Sequence, residues 1–239
     1  MTQYMNPPIL FENDTFLAIN KPPGIVVNRA ESVKGETVQE WVETNAKWPM
    51  LNDKYNTNTD FTSRAGIVHR IDKETSGILL IAKTPEAFVE LQRQFKERLI
   101  KKTYLAIAHG SIVPENGEIR APVGRLPWNK ERFGIVPGGK DSVTRYTVIK
   151  KIIKDGEPFS FVELRPETGR THQIRVHMKY INHPIVGDYL YAGRKTSRDD
   201  REWAPRVMLH AWKLICRDPS TATPIEIIAP IPDDMSSII

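Results

Sequence analysis

One cysteine, Cys216, stands alone among the 239 residues, which excludes an internal disulfide and a cysteine-based metal site. A single thiol is typical of a protein kept in a reducing compartment. No apolar run approaches the ~20 residues that a membrane span requires. Residues 1–8 lack the basic start and apolar core of a signal peptide. These absences predict a cytoplasmic protein with no membrane partner.

The sequence also lacks the motifs of common nucleotide-binding and hydrolytic enzymes. It contains no glycine-rich phosphate loop, no GxGxxG fingerprint and no Gly-x-Ser-x-Gly nucleophile elbow. Among its six histidines, His172 and His177 lie five residues apart, a spacing that does not place two ligands on one helix face. We therefore expect no metal site.

The charge balance points only mildly towards a polyanionic partner. Lysine and arginine outnumber aspartate and glutamate by 34 to 29, for a net charge of +5, and many proteins without such a partner are equally basic. Hydrophobic residues make up 40% and charged residues 26%, as in an ordinary globular protein. No linker rich in glycine, serine or proline divides the chain, so we expect one domain over 1–239.

Short apolar segments bounded by turn residues predict strands, with only a few amphipathic helices between them. This pattern is typical of an α/β chain of the α+β type, with a mixed, mostly antiparallel sheet and flanking helices and loops. Two polar stretches without periodicity, 45–66 and 194–201, predict exposed loops. The predicted strands are 16–19, 78–82, 103–108, 144–149, 159–164, 208–216 and 225–229, and the predicted helices are 37–42, 84–99 and 174–181.

The helix predicted after residue 83 has a clear start and a clear inner face. Thr84 followed by Pro85 is a typical helix N-cap with proline in the first turn. Arg93 and Lys96 fall outside the apolar stripe, and a solvated helix face explains them better than phosphate contacts do. The predicted core-facing stripe consists of Phe88, Leu91, Phe95 and Leu99.

The densest cluster of polar residues, His69–Gly77, comes directly before the apolar run Ile78–Ala82. That run predicts a strand covered on both faces, and polar groups next to such a rigid element are well placed for an active site. Within the cluster, Asp72 lies two residues from Arg70. From spacing alone, Asp72 is as readily a surface ion-pair partner as a reagent.

A second cluster, Gly169–His177, places two arginines, two histidines and a glutamine at a predicted loop-to-helix junction. Helix N-termini favour anions, and arginine matches the geometry of phosphate or carboxylate. Tyr104, by contrast, suits a half-buried strand. Nothing in the spacing requires Asp72, Tyr104 and Arg175 to meet.

Both clusters belong to a set of six segments through which the chain resembles the RluA family of pseudouridine synthases. Each segment alone is a weak signal, but six in the family order are highly specific. Residues 45–64 match no family segment, and no S4-type RNA-binding segment precedes the matching core, which runs from about residue 10 to about residue 230. The six segments are Ala18–Gly24, His69–Gly77, Lys101–Tyr104, Gly169–His177, His183–Asp188 and Met208–Ala211.

The resemblance implies a single pseudouridine synthase catalytic domain with an RNA-binding cleft. It implies an enzyme that isomerises specific uridines in structured ribosomal or transfer RNA to pseudouridine. In that reaction the glycosidic bond breaks, the uracil rotates, and its carbon five is joined to the sugar. The family uses no cofactor and no metal, and we expect a monomer.

The resemblance also assigns roles to individual residues. Asp72 must be ionised to act on the sugar, as a nucleophile or by proton abstraction, and Arg175 is the partner expected to favour its charged form. Tyr104 is expected to stack on the flipped uracil and to take part in removing the proton from carbon five. Arg70 is expected to hold the flipped arrangement. The other expected substrate contacts are His69, Arg170 and Lys102.

Two other functions stay open. Asp72 and Glu74 could serve an inverting glycoside hydrolase, because residues two apart on a strand lie ~7 Å from each other. The same scaffold could also be a non-catalytic RNA-binding protein, although an intact Asp72 and Tyr104 favour an enzyme. Target choice is expected to reside in loops 45–66 and 194–201.

Overall fold

The computed structural model describes residues 6–31, 33, 35–45 and 60–239. These residues form two compact units. The first comprises the chain up to Lys101 together with Lys213–Ala229, and the second comprises Lys102–Trp212 and Pro230–Ile239. The expectation of one domain over 1–239 stays a prediction.

Strands outnumber helices along the described chain. In chain order the elements are β1 (Ile9–Glu12), β2 (Phe16–Lys21), α1 (Val38–Asn45), α2 (Asp60–Ser63), β3 (Ser76–Ala82), α3 (Pro85–Lys96), β4 (Lys101–His109), β5 (Asn116–Arg120), β6 (Val123–Leu126), β7 (Asn129–Ile135), β8 (Val143–Lys154), β9 (Glu157–Pro166), α4 (Gln173–Tyr180), α5 (Arg194–Asp200), β10 (Leu209–Arg217), β11 (Pro224–Ile228) and α6 (Asp233–Ser236).

In the first unit, β2 pairs antiparallel with β1 and with β3. All seven residues of β3 are buried, which confirms the strand predicted from the apolar run Ile78–Ala82. A strand with no polar alternation fits this position because both of its faces are covered. β11 pairs antiparallel with Lys213–Arg217, the part of β10 that belongs to this unit.

Helix α3 begins as the sequence predicts. The Thr84 hydroxyl accepts a hydrogen bond from the Ala87 backbone N–H at 3.2 Å, and Pro85 is the first helical residue. Phe88 and Leu91 are buried on the inner face. The N-cap and the apolar spacing are local signals, which explains why the sequence alone predicts them.

The prediction is wrong for Leu99, the last residue of the apolar stripe. Leu99 is 44% exposed and lies beyond the helix, which ends at Lys96 because Arg98 adopts a left-handed conformation with φ 60°. A polar residue takes an inward position instead. Gln94 is fully buried, and its amide bonds to both the N–H and the carbonyl of Arg217, each at 2.9 Å.

The outer face of α3 is solvated. Arg93 and Lys96 are exposed, and Arg93 forms ion pairs with Glu90 and Glu97 of the same helix. Exposed pairs at this spacing stabilise a helix by only ~0.3–0.5 kcal/mol. This exposure agrees with the interpretation of these cations as a solvated helix face, and the choice between that interpretation and a phosphate contact stays a prediction.

In the second unit, β4, β9, β8 and β5 pair antiparallel in that order. The β8–β9 hairpin turns at Asp155 and Gly156, which both have positive φ (51° and 82°), as a two-residue turn of the I′ type requires. β6 and β7 form a separate antiparallel pair. Antiparallel pairing within each unit confirms the predicted mixed, mostly antiparallel fold.

Helix α4 confirms the helix predicted from Ile174, Met178 and Ile181. The first two residues are buried in a core that also contains residues of β4 and β9. The helix stops after Tyr180, and Asn182 follows in a left-handed conformation with φ 64°. The polar cluster Gly169–His177 is thereby attached to a packed helix of the second unit.

The predicted exposed loop 194–201 is wrong, because Arg194–Asp200 form α5. The inward-facing residues of α5 are polar, and Ser197 and Asp200 are buried. One Asp200 carboxylate oxygen accepts the Gly187 N–H at 2.8 Å and lies 3.0 Å from His109 Nε2. A helix held by buried polar contacts leaves no apolar periodicity in the sequence.

Of the other predicted loop, 45–66, residues 46–59 lie outside the described residues. Its last residues are not an exposed loop, since they include α2, in which Phe61 is buried. The Gly66 carbonyl accepts a hydrogen bond from the Ala82 backbone N–H at 2.8 Å. The segment that leads into His69 is therefore fixed against β3.

Candidate active site

Asp72 lies in a turn directly before β3 in the first unit. Its carbonyl accepts the Thr75 N–H at 3.1 Å, and β3 begins at Ser76. The Asp72 side chain is half-buried, whereas Arg70 is exposed. We call residues 69–75 the Asp72 turn. It carries three of the predicted site residues: His69, Arg70 and Asp72.

A fully buried lysine supports the Asp72 turn. Lys21 Nζ donates to the carbonyls of Pro22 at 2.8 Å, Ile25 at 2.9 Å and Lys73 at 3.1 Å. The Gly24 N–H donates to the same Lys73 carbonyl at 2.8 Å. Two sequence segments far apart in the chain are thus joined at the residue next to Asp72. Lys21 lies in a family segment, but sequence reasoning gave it no role.

His69 anchors the start of the turn to β3. Its Nε2 accepts the Leu80 backbone N–H at 2.9 Å, so in this bond Nε2 is the unprotonated ring nitrogen. The imidazole also packs on the Phe95 ring, with 4.6 Å between the centroids. The structure therefore gives His69 a supporting contact, while its predicted contact with substrate stays a prediction.

In the second unit, Tyr104 and Lys102 lie two residues apart on β4, so their side chains share one face of the strand. Tyr104 is half-buried and packs against the core of this unit. Lys102 Nζ lies 3.5 Å from the Thr168 carbonyl, and burial lowers the pKa of Lys102 to about 8. A lysine with such a pKa changes charge in the mildly alkaline range, around pH 8.

The loop that carries Arg170 is organised by Gln173. The Gln173 carbonyl oxygen accepts from the Thr168 hydroxyl at 2.7 Å and from the Arg170 N–H at 3.0 Å. Its amide nitrogen donates to Val143 and Thr144 of the strand region at 3.0 and 3.1 Å. Among the described residues, Arg170 Nε is buried without a hydrogen-bond partner. The loop thus holds a donor that an added acceptor would satisfy.

Arg175 projects from α4 and is 7% exposed. Its Nε and Nη2 donate to the two carboxylate oxygens of Asp188, at 2.7 and 2.9 Å. The ring of Tyr191 lies under the guanidinium, 5.0 Å from its central carbon. The sequence-based prediction named Arg175 but missed Asp188. Asp188 is the last residue of the family segment His183–Asp188, and nothing in the sequence indicates that it is buried.

The two histidines of the second cluster have structural contacts. His172 stands before α4 with φ 56°, and its Nδ1 lies 2.9 Å from the Tyr191 hydroxyl. His177 is fully buried, with Nδ1 2.9 Å from the Thr144 hydroxyl and Nε2 3.0 Å from the Ala121 carbonyl. Burial lowers the pKa of His177. These contacts fix α4 to its neighbours.

The predicted site residues divide between the two units: His69, Arg70 and Asp72 in the first, and Lys102, Tyr104, Arg170 and Arg175 in the second. The expected pairing of Asp72 with Arg175 stays a prediction. Within 6–31, 33, 35–45 and 60–239, no group of three His, Cys, Asp or Glu side chains could hold a metal ion. No helix in the same ranges is long and apolar enough to cross a membrane.

Comparison with known proteins identifies the family. A family model described as RNA pseudouridylate synthase matches residues 15–180, a range that contains the Asp72 turn, β4 and Arg175. The chain belongs to this family. Membership confirms the resemblance found from the six sequence segments.

Curated relatives of this family align along nearly the whole chain. The ribosomal large subunit pseudouridine synthase D of Neisseria meningitidis is 38% identical over 236 residues, which are 95% of this chain and 59% of the relative. An uncharacterised RNA pseudouridine synthase of Bacillus subtilis, YlyB, is 36% identical over 100% of this chain and 74% of its own length. The chain thus spans about three fifths of the first of these relatives.

A solved structure shares the fold. The human RNA pseudouridylate synthase domain containing 1 superposes with a TM-score of 0.72 at 30% sequence identity. The match covers 94% of this chain and 83% of the human chain. The α+β architecture predicted from the sequence is therefore also that of a known member of the family.

Proposed function

We propose that this chain is an RNA pseudouridine synthase, which isomerises uridines in structured RNA to pseudouridine. The observation that carries the proposal is the family match over residues 15–180, which contains Asp72, Tyr104 and Arg175. The relatives from Neisseria meningitidis and Bacillus subtilis are named for the same activity. The reaction breaks the bond between uracil and ribose and joins carbon five of the base to the sugar.

Asp72 acts on the sugar in this proposal, either as a nucleophile at the anomeric carbon or by abstracting a sugar proton. Both routes need an ionised carboxylate, and a guanidinium such as Arg175 favours that form. The hydrogen bonds of Lys21 and Gly24 to the Lys73 carbonyl support the proposal, because they fix the backbone beside Asp72. A fixed backbone leaves fewer conformations to be lost when the Asp72 carboxylate meets the ribose.

Tyr104 stacks on the flipped uracil. Extruding a base from a folded RNA costs roughly a few kcal/mol, and stacking on one aromatic ring returns ~1–3 kcal/mol. Stacking alone therefore offsets only part of the cost. Arg70, which is exposed in the Asp72 turn, is proposed to help hold the flipped arrangement and so to offset the rest of the cost.

Lys102 and Arg170 contact RNA phosphates in this proposal. Lys102 lies beside the loop at residues 168–170, where its Nζ approaches the Thr168 carbonyl. Arg170 belongs to this loop, and its Nε is buried without a hydrogen-bond partner among the described residues. Phosphate oxygens accept hydrogen bonds from such cations and fix the register of the RNA. His69 is proposed as a further substrate contact in the Asp72 turn.

The RNA is proposed to be that of the large ribosomal subunit, with transfer RNA as the alternative. The names of the Neisseria meningitidis and Nitrosomonas europaea relatives, ribosomal large subunit pseudouridine synthase D, support the first. The net charge of +5 is compatible with either RNA. We further propose that the chain acts as a monomer in the cytoplasm and as one catalytic domain.

Mapping pseudouridines at single-nucleotide resolution tests this proposal in cells that lack the protein. We expect at least one position of the large-subunit RNA to stay uridine, to be restored by the wild-type chain, and to stay uridine with Asp72→Asn. Unchanged pseudouridines in every RNA would contradict the activity. A loss confined to transfer RNA would contradict the ribosomal target while keeping the enzyme, and restoration by Asp72→Asn would contradict the role of Asp72.

A further inference from the structure

Arg175 is held from two directions by residues that had no role in the sequence-based prediction. In the plane of the guanidinium, Asp188 binds Nε and Nη2 at 2.7 and 2.9 Å. Against the face of that plane, the Tyr191 ring lies 5.0 Å from the central carbon. Two in-plane bonds fix the rotation of the group, and the ring limits its tilt. These contacts together set the orientation of the Arg175 guanidinium.

Asp188 is itself immobilised. It is fully buried, and its Oδ1 also accepts the backbone N–H groups of Leu190 at 3.0 Å and Tyr191 at 3.2 Å. The turn that delivers it needs Gly187, whose φ is 74° and where a Cβ would lie 2.1 Å from the Arg206 carbonyl oxygen. The carboxylate therefore acts as a fixed template for the arginine and not as a mobile counter-ion.

Tyr191 is anchored in turn. Its hydroxyl lies 2.9 Å from His172 Nδ1 and accepts the Phe133 N–H at 3.3 Å. Neither contact involves the guanidinium, so the hydroxyl holds the ring while the ring covers Arg175. The hydroxyl and the ring of Tyr191 therefore have different roles: the hydroxyl fixes the side chain, and the ring contacts Arg175.

We propose that Asp188 is a positioning residue for pseudouridine synthesis, which fixes the orientation of the Arg175 guanidinium. The inference rests on the proposed function, in which Arg175 keeps Asp72 charged. Asp188 also neutralises the guanidinium, so Arg175 is not buried as an uncompensated charge. Asp188 touches neither the base nor the sugar in this proposal and acts only through Arg175.

Single-turnover and steady-state tritium release from RNA labelled at uracil carbon five measure the effect of Asp188→Asn. The amide keeps one acceptor oxygen but replaces the other with a donor that faces an N–H of Arg175. We expect kcat to fall about tenfold or more with KM for RNA within about twofold of wild type. A kcat within twofold of wild type, in a variant that is folded, would overturn the proposal.

A double-mutant cycle tests whether Asp188 acts through Arg175. Arg175→Gln combined with Asp188→Asn forms a neutral pair, which avoids a buried unpaired charge and keeps the cycle measurable if Asp188→Asn alone folds poorly. We expect Asp188→Asn to cause no further loss of kcat in the Arg175→Gln background. Independent, multiplicative losses would contradict the proposal.

A matched control separates positioning from general destabilisation. Asp234 forms a similar two-oxygen pair with buried Arg206 in the same unit, at 2.6 and 2.9 Å. Asp234→Asn is expected to lower the melting temperature but to keep kcat per folded molecule. Equal losses of kcat in Asp234→Asn and Asp188→Asn would overturn the positioning role. Wild-type protein without tritium release would instead contradict the proposed function itself.

Discussion

Lys102, the partly buried lysine on β4, is proposed to bind an RNA phosphate, and this predicts an RNA affinity that depends on pH. Burial lowers the pKa of Lys102 to about 8, from an ordinary value of 10.5, so the neutral amine prevails in the free protein above that pH. A phosphate contact requires the ammonium form. The charged fraction falls from about nine tenths at pH 7 to about one tenth at pH 9. Because only the charged form binds the phosphate, the apparent Kd should rise across this range by up to about tenfold, the limit being the weaker affinity of the neutral form.

Fluorescence anisotropy with a labelled RNA stem-loop from the large ribosomal subunit measures this effect. All proteins carry Asp72→Asn, so that the RNA is not turned over, and the salt concentration is held constant. Lys102→Arg stays charged throughout and should bind with little pH dependence between pH 7 and pH 9. Lys102→Met should bind weakly at every pH, and the slope of log K against log salt should become shallower by about one.

The comparison with Lys102→Arg removes the contributions of other groups and of the RNA bases, since these titrate in both proteins. A wild-type affinity that is constant from pH 7 to pH 9 would refute the assignment of Lys102 to a phosphate. The same conclusion follows if Lys102→Arg loses affinity as steeply as the wild type does. An unchanged salt dependence in Lys102→Met would likewise count against it.

Three further predictions concern the supports of the site. Lys21→Met removes three hydrogen bonds to backbone carbonyls, of which the Lys73 carbonyl alone keeps a second donor, the Gly24 N–H. We therefore expect a lower melting temperature and slower tritium release; wild-type values of both would contradict the supporting role. Gly66→Ala places a Cβ 2.2 Å from the Ala82 carbonyl oxygen and should destabilise by more than ~2 kcal/mol in urea unfolding. Gly156→Ala, with positive φ but open space, should cost only ~1 kcal/mol; equal costs would refute the clash. His177 has a pKa lowered by burial, so the unfolded chain takes up a proton first as pH falls below ~6.5. Unfolding free energy should therefore decrease from pH 7 to pH 5, less so in His177→Gln; equal decreases would contradict the assignment.

Local signals account for the parts of the fold that the sequence predicts. The run Ile78–Ala82 becomes a fully buried strand, and the predicted strands 144–149 and 159–164 lie within β8 and β9. The cap at Thr84 starts α3. In each case the residues that determine the structure lie within a few positions of one another, so neither composition nor tertiary contacts are needed to find them.

Buried polar residues account for the errors. Gln94 faces inward where apolar Leu99 does not, and Asp200 faces inward from a helix that reads as a charged loop. Their partners, Arg217 and Gly187, lie elsewhere in the sequence. Apolar periodicity cannot detect an element whose inner face is satisfied by hydrogen bonds.

The same limit applies to the candidate site. Asp72, Tyr104 and Arg175 could be named from the sequence because they stand in family segments with an expected role. Lys21 and Asp188 stand in such segments too, but a lysine and an aspartate are ordinarily exposed. Only the three-dimensional structure shows that both are fully buried and hold neighbouring groups in place.

Tritium release from RNA labelled at uracil carbon five is the most direct test of the central claim, that Asp72 serves an RNA pseudouridine synthase. The purified wild-type chain and Asp72→Asn are incubated with large-subunit ribosomal RNA and with transfer RNA, both transcribed in vitro. We predict release in proportion to new pseudouridine for the wild type and none for Asp72→Asn. RNA binding without release by the wild type, or equal release by both proteins, would contradict the account.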